Sequence, residues 1–222
     1  MAGESEKLSK DQLREDEFVE WIMDAVEYVK ERSQLFSYGV VAVVLGVLLI
    51  NHLVESKDTA RAEAAILLGD FMMAEQSGQL AEATRLGEQL VSSYTGNPAA
   101  AQGTVFLANI HYAEGRFAEA KKLYQEYINN YEPVDILAYA AQSGLGACLE
   151  AEGQLLEAAK HYESYAAKES GSIRGAMALM EAARVFGAVG DRDKQKSLLE
   201  EISTNFEQYP IAGQARSILA ML

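Results

Sequence analysis

The chain has 222 residues, 49% hydrophobic and 23% charged, with Lys+Arg 19 against Asp+Glu 33, three prolines and one cysteine. An apolar fraction of this size excludes a wholly disordered chain, and a net charge of -14 without a Lys/Arg cluster excludes general binding to phosphate backbones. A single cysteine excludes an internal disulfide and a zinc site built on paired cysteines.

Residues 1–35 hold five basic residues (Lys7, Lys10, Arg14, Lys30, Arg32) and ten acidic ones, so the arm is acidic by itself. Phe18, Ile22, Val26 and Val29 recur at spacings of three and four, which predicts an amphipathic helix over 11–34. Trp21 and Tyr28 are the ring types that favour a membrane interface, but the acidic polar face opposes anionic lipid. Docking to a partner and a plain surface helix both remain open for this arm.

Residues 36–54 read FSYGVVAVVLGVLLINHLV, with no Asp, Glu, Lys or Arg. Nineteen residues at ~1.5 Å each make ~28 Å of helix, close to the ~30 Å hydrocarbon thickness of a bilayer. The acidic arm before it and the lack of a small-residue cleavage site after it predict an uncleaved anchor. Asn51 and His52 fall at one end, where polar groups reach the interface. Lys30 and Arg32 before the span balance Lys57 and Arg61 after it, so the positive-inside rule assigns no orientation.

From about residue 56 the chain repeats itself. Gly78-Gln79-Leu80-Ala81-Glu82-Ala83, Gly115-Arg116-Phe117-Ala118-Glu119-Ala120 and Gly153-Gln154-Leu155-Leu156-Glu157-Ala158 share one pattern, and Gly190-Asp191-Arg192 is a worn fourth copy. The glycines stand 37, 38 and 37 residues apart. Each would end a helix in the left-handed conformation, the Leu or Phe two residues later would cap the cleft, and the Ala five residues later would let two helices approach. Aromatic residues continue at helical spacing (Tyr124, Tyr127, Tyr131; Tyr162, Tyr165), and prolines 98, 133 and 210 lie near predicted helix starts. Helix pairs are therefore predicted at 60–95, 98–132, 134–169 and 172–207, with a last helix at 210–222 closing the stack.

These residues resemble the tetratricopeptide repeat. Ala108, Gly146 and Ala183 stand at its small first-helix position, seven residues before their glycines, and Tyr124 and Tyr162 stand at its second-helix aromatic. Copy one departs, with Phe71 at the small position and Gly87 at the aromatic one, and copy four keeps little beyond Gly190. The residues and the resemblance together imply an all-α fold in three parts. An acidic arm with an amphipathic helix (1–35) and a transmembrane helix (36–54) precede a right-handed tetratricopeptide-like solenoid of about four helix pairs with a C-terminal capping helix (55–222).

His52, His111 and His161 have no partner at metal-ligand spacing, and there is no HExxH, GxSxG or Gly-rich phosphate loop. No catalytic, metal or cofactor residue is expected, and the chain reads as a non-enzyme. Cys148 reads as a small buried hydrophobe, and Glu82, Glu119 and Glu157 as solvated helix starts near the positive dipole end. The repeat consensus implies a concave partner-binding face formed by Gln102, Asn109 and Tyr112, then Ser143 and Glu150, then Met177, Met180 and Arg184. Met177 and Met180 suit either a permissive peptide surface or packing between repeats.

The order of acidic arm, span and repeats, with DEFVEWIMDAVEYVKERSQLF ahead of the span, resembles the bacterial single-span family of ancillary Sec translocon subunits. That resemblance implies an inner-membrane protein with a cytoplasmic N-terminus and residues 55–222 in the periplasm. It would work with the translocon, periplasmic chaperones and unfolded or emerging client chains, and not with nucleic acid. The alternative is a scaffold for outer-membrane or peptidoglycan assembly. A cytoplasmic-facing adaptor follows if the orientation is reversed.

Overall fold

A computed structural model of the protein describes residues 10–222. Lys7 and the start of the acidic arm lie outside the described residues, as does the side chain of Val29. Ten α-helices are described: α1 Lys10–Glu31, α2 Ser33–Gln76, α3 Leu80–Ser93, α4 Pro98–Ala113, α5 Phe117–Asn130, α6 Asp135–Ala151, α7 Leu155–Lys168, α8 Ile173–Ala188, α9 Arg192–Asn205 and α10 Pro210–Leu219. The chain divides into two compact units, Met1–Asp58 and Thr59–Leu222.

The first unit holds α1 and the apolar part of α2. Phe18 and Trp21 stack with ring centroids 6.2 Å apart, the Arg32 guanidinium lies 4.9 Å over the Tyr28 ring, and the apolar side chains from Tyr38 to Val54 are exposed. One helix here is long and apolar enough to cross a membrane. The uncharged run anticipates a span at 36–54 and the repeat a separate helix from 60, but both lie within the single 44-residue α2. The intervening Glu55-Ser56-Lys57-Asp58-Thr59-Ala60 contains neither Gly nor Pro, so nothing in it breaks a helix. At ~1.5 Å per residue, 44 residues run to ~66 Å, about twice what one span requires.

The second unit is built from helix pairs: the end of α2 with α3, α4 with α5, α6 with α7, and α8 with α9, followed by α10. Every pair turns in the same way. Gly78, Gly115, Gly153 and Gly190 have φ of 72°, 77°, 79° and 85°, which only glycine adopts without strain. The N–H of the following residue reaches back five residues to a carbonyl near the end of the first helix: Gln79 to Ala74, Arg116 to His111, Gln154 to Leu149 and Asp191 to Phe186, at 2.8–2.9 Å. This closes the helix end in the Schellman manner and aims the chain into the second helix. Asn97, Ser172 and Asp191 cap α4, α8 and α9 by accepting the N–H of Ala99, Gly175 and Lys194. Pro98 and Pro210 take first-turn positions of α4 and α10, whereas Pro133 precedes α6 by two residues.

Three buried clusters fill the stack: one over α2–α4, one over α4–α6, and one over α7–α10. Tyr124, Tyr127 and Tyr162 are buried, and the Tyr127 hydroxyl accepts the Val134 N–H at 3.1 Å, tying the end of one pair to the start of the next. The expected Leu or Phe cap over each turn holds only in part. Phe117 is half-buried and Leu155 packs on the α7–α10 cluster, while Leu80 is exposed.

The irregular first copy has a compensating cause. A Cβ on Gly146 would lie 2.3 Å from the Tyr162 ring, so the third pair needs a small residue on α6 where the tyrosine of α7 lies across it. In the first pair the sizes are exchanged. Phe71 on α2 is fully buried, and a Cβ on Gly87 of α3 would meet its ring at 3.2 Å. One ring and one small residue fill the junction either way, as dense packing requires.

Candidate partner-binding surface

The eight residues predicted for the concave face lie on the first helices α4, α6 and α8, and they fall into three groups. Tyr112, at 36% exposure, shows its ring to solvent with the Phe117 ring 5.4 Å away, and Gln102 is half-buried. Asn109 is exposed, and its Oδ1 accepts the Tyr124 hydroxyl at 2.6 Å.

Glu150, Arg184 and Ser143 are brought together. Glu150 Oε1 accepts from the Tyr162 hydroxyl at 2.9 Å and from Arg184 at 2.7 Å, and Arg184 Nε also donates to Glu181 at 2.8 Å. The Tyr162 hydroxyl reaches the Ser143 carbonyl at 3.3 Å as well. The carboxylate side chain is 18% exposed against 53% for the guanidinium, so a mostly buried acceptor anchors an accessible cation and joins α6 to α8. Burial and the neighbouring carboxylate push the Tyr162 phenol well above its ordinary range, so it stays a proton donor to Glu150. The hydrogen bond to Glu150 raises Arg184 in turn.

The two methionines part company. Met177 is 38% exposed, whereas Met180 packs against the α7–α10 cluster. Met180 therefore serves packing as well as lying on the first-helix side.

One neighbour was passed over in the sequence. Met72 on α2 stands 37 residues before Asn109, at the same place in its repeat, and is 41% exposed. Shifting the copy-two residues back by one period would have found it, but the exchange at Phe71 and Gly87 hid copy one. Glu181, the second acceptor of Arg184, follows only from three-dimensional pairing.

Cys148 and His161 serve the packing of the stack. Cys148 is fully buried and its thiol is pushed up to about 11 by burial, which suppresses the reactive thiolate. The His161 Nε2 lies 2.8 Å from the Gln142 carbonyl, and burial lowers its affinity for a proton. Glu82, Glu119 and Glu157 lie in the first turns of α3, α5 and α7. Among the described residues no group of three or more His, Cys, Asp or Glu is placed to hold a metal ion.

Met72, Tyr112 and Met177 are thus exposed on first helices, and the Glu150–Arg184 network joins α6 to α8.

The model of the tetratricopeptide repeat-like domain matches residues 27–169. No curated protein matches the chain. Among solved structures, the TPR-like repeats of a protein from Podosopora anserina assigned as a kinesin light chain are 23% identical, covering 65% of this chain and 75% of that one, with a TM-score of 0.54. A single-site variant of them is 24% identical over 64% and 74%, again at a TM-score of 0.54. YrrB, described as a TPR protein with an unusual peptide-binding site, is 15% identical over 68% and 90%, with a TM-score of 0.31. The likeness to the Podosopora repeats is one of fold. With well over half of its length matched, the chain belongs to the tetratricopeptide repeat-like domain family, a protein-interaction scaffold.

Proposed function

We propose that this protein is a membrane-anchored interaction module, with an anchor in the apolar part of α2 and the first-helix surface of the repeats as its partner-binding face. The observation that carries the reading is the mostly buried Glu150 presenting an accessible Arg184 beside exposed Met177, with Tyr112 further along the same series of helices.

The finer assignment is an ancillary subunit of the Sec translocon in a bacterial inner membrane. The arm (1–35) would lie in the cytoplasm, residues 36–54 would span, and residues 55–222 would work in the periplasm on emerging clients and with chaperones. It is supported by the order of acidic arm, uncharged stretch and repeats, and by a family match that starts at residue 27, ahead of the apolar stretch. The test combines topology with capture. In spheroplasts, external protease is expected to digest residues 55–222, and a photocrosslinker at Tyr112 is expected to trap translocating chains. Protection until the inner membrane is lysed would reverse the orientation and favour a cytoplasmic adaptor. Accessible repeats that capture only envelope-assembly factors would replace the translocon role with a scaffold role.

A further inference from the structure

Three clefts of similar size lie between consecutive second helices. One lies between α3 and α5 over α4 (about 390 Å³), one between α5 and α7 over α6 (about 300 Å³), and one between α7 and α9 over α8 (about 370 Å³). Across the repeats Glu88, Gln125 and Glu163 occupy one register and each lines its cleft, while Glu119, Glu157 and Lys194 occupy another on the opposite helix, and of these three Glu119 lines its cleft. In the last copy Lys194 donates to Glu163, and its ammonium lies 5.8 Å over the Phe186 ring. The wall carboxylate of the cleft between α7 and α9 is thus already paired within the chain.

The first copy differs at both levels. Its two wall positions are carboxylates, Glu88 and Glu119, and among the described residues neither is ion-paired. On its floor the register held elsewhere by Ala74, Leu149 and Phe186 holds His111. That imidazole is 5% exposed, lines the cleft, and its Nδ1 has no hydrogen-bond partner among the described residues. A polar ring substituted into an otherwise apolar register and left unsatisfied is costly unless something completes it.

Burial, aided by Arg116, holds His111 below its ordinary range, while Glu114, Glu119 and Glu88 act in the opposite direction. A neutral imidazole keeps one ring nitrogen as an acceptor. Glu126 adds a third carboxylate to the cleft, against Lys122 on the same wall, and Val91 and Leu107 supply apolar surface. Charge and polarity thus call for a donor cation on an apolar stem.

We propose that the cleft between α3 and α5 receives a lysine or arginine side chain of a partner polypeptide, its cation between Glu88 and Glu119 over His111 and its stem on Val91 and Leu107. The guest completes what Lys194 does within the last copy. A volume of about 390 Å³ falls within the ~300–1,000 Å³ usual for small-ligand sites, and the apolar surface favours a side chain within a peptide over a bare ammonium ion. At 3.6 residues per turn, Leu107 and His111 face away from Asn109 and Tyr112 on α4, so this site is separate from the first-helix surface.

The test uses the full chain in nanodiscs and the peptide fluoresceinyl-β-alanyl-Leu-Arg-Leu-Lys-Leu-amide, read by polarisation. The peptide is expected to bind at least tenfold more tightly than its counterpart with citrulline and norleucine in place of Arg and Lys. Glu119→Lys builds into this cleft the pair found between Lys194 and Glu163. It is expected to weaken the peptide at least tenfold while raising the thermal midpoint, and Glu88→Gln with Glu119→Gln is expected to weaken it similarly. No binding to the wild-type chain, equal binding of the uncharged peptide, or undiminished binding to the Glu119→Lys variant would overturn the proposal. Displacement by spermidine at concentrations matching the unlabelled peptide would overturn a polypeptide as the guest.

Discussion

The first and third helix pairs solve one packing problem with opposite residues. In the third, a small residue on the first helix, Gly146, lies under a large ring on the second, Tyr162; in the first, the ring is Phe71 on α2 and the space is Gly87 on α3. The junction is conserved as a volume and not as a residue at a position. The exchange also removes a function. Tyr162 carries a hydroxyl that reaches Glu150 and so connects the core to the exposed Arg184, whereas Phe71 has no polar tip to reach the surface. The first pair buries its ring as pure apolar mass, and the third uses its ring to organise charges.

Breaking the first junction should have the largest effect. Phe71→Ala removes a fully buried ring facing a glycine and is expected to cost about 3–5 kcal/mol in urea unfolding, since no neighbour can fill the void. Adding Gly87→Tyr to that variant recreates the arrangement of the third pair and is expected to recover more than half of the loss. No recovery would mean that the two positions are not one junction. In the third pair, Gly146→Ala places a methyl 2.3 Å from the Tyr162 ring and is expected to cost about 1–3 kcal/mol through displacement of that ring.

A smaller change separates the ring from its hydroxyl. Tyr162→Phe keeps the packing, loses the bonds to Glu150 and Ser143, and is expected to cost about 1 kcal/mol. Its second readout is mobility of Arg184, which loses the neighbour that fixes its main acceptor.

Acid should weaken the stack through the half-buried His161. Burial lowers the folded-state proton affinity of His161 below the ordinary 6.5, so the unfolded chain binds the proton first. The stability from keeping this ring neutral is whole above about pH 6.5 and is lost as pH falls below that value. The fall in thermal midpoint between pH 7.5 and 5.5 is expected to shrink in a His161→Gln variant, and an unchanged fall would assign the acid sensitivity elsewhere.

Much of the fold was legible because glycine punctuation is a local property: Gly78, Gly115, Gly153 and Gly190 marked the turn within each pair, and the pair boundaries followed. The continuity of α2 was less legible, because a change from apolar to charged composition resembles a boundary even where the backbone meets no breaker. The polar network at Glu150 and Arg184 could be placed on one face, but its closure through Tyr162 and Glu181 depends on distances between helices. Periodicity marked Met180 as a first-helix residue without showing how much of it the core would bury. At His111 the repeat register did carry a signal, since Ala74, Leu149 and Phe186 are apolar, but its meaning needed the carboxylates of two other helices.

The most direct test of the first-helix surface is Tyr112→Ala with Arg184→Ala in the full chain, measuring partner crosslinking from a photoreactive group at Met177 together with the thermal midpoint. Tyr112 is exposed and the Arg184 side chain is 53% exposed, but its Glu150 acceptor is only 18% exposed, so the midpoint is expected to fall modestly while crosslinking falls several-fold and out of proportion to that loss. Unchanged crosslinking, or a loss that follows an equal fall in stability, would contradict a partner-binding role for this face.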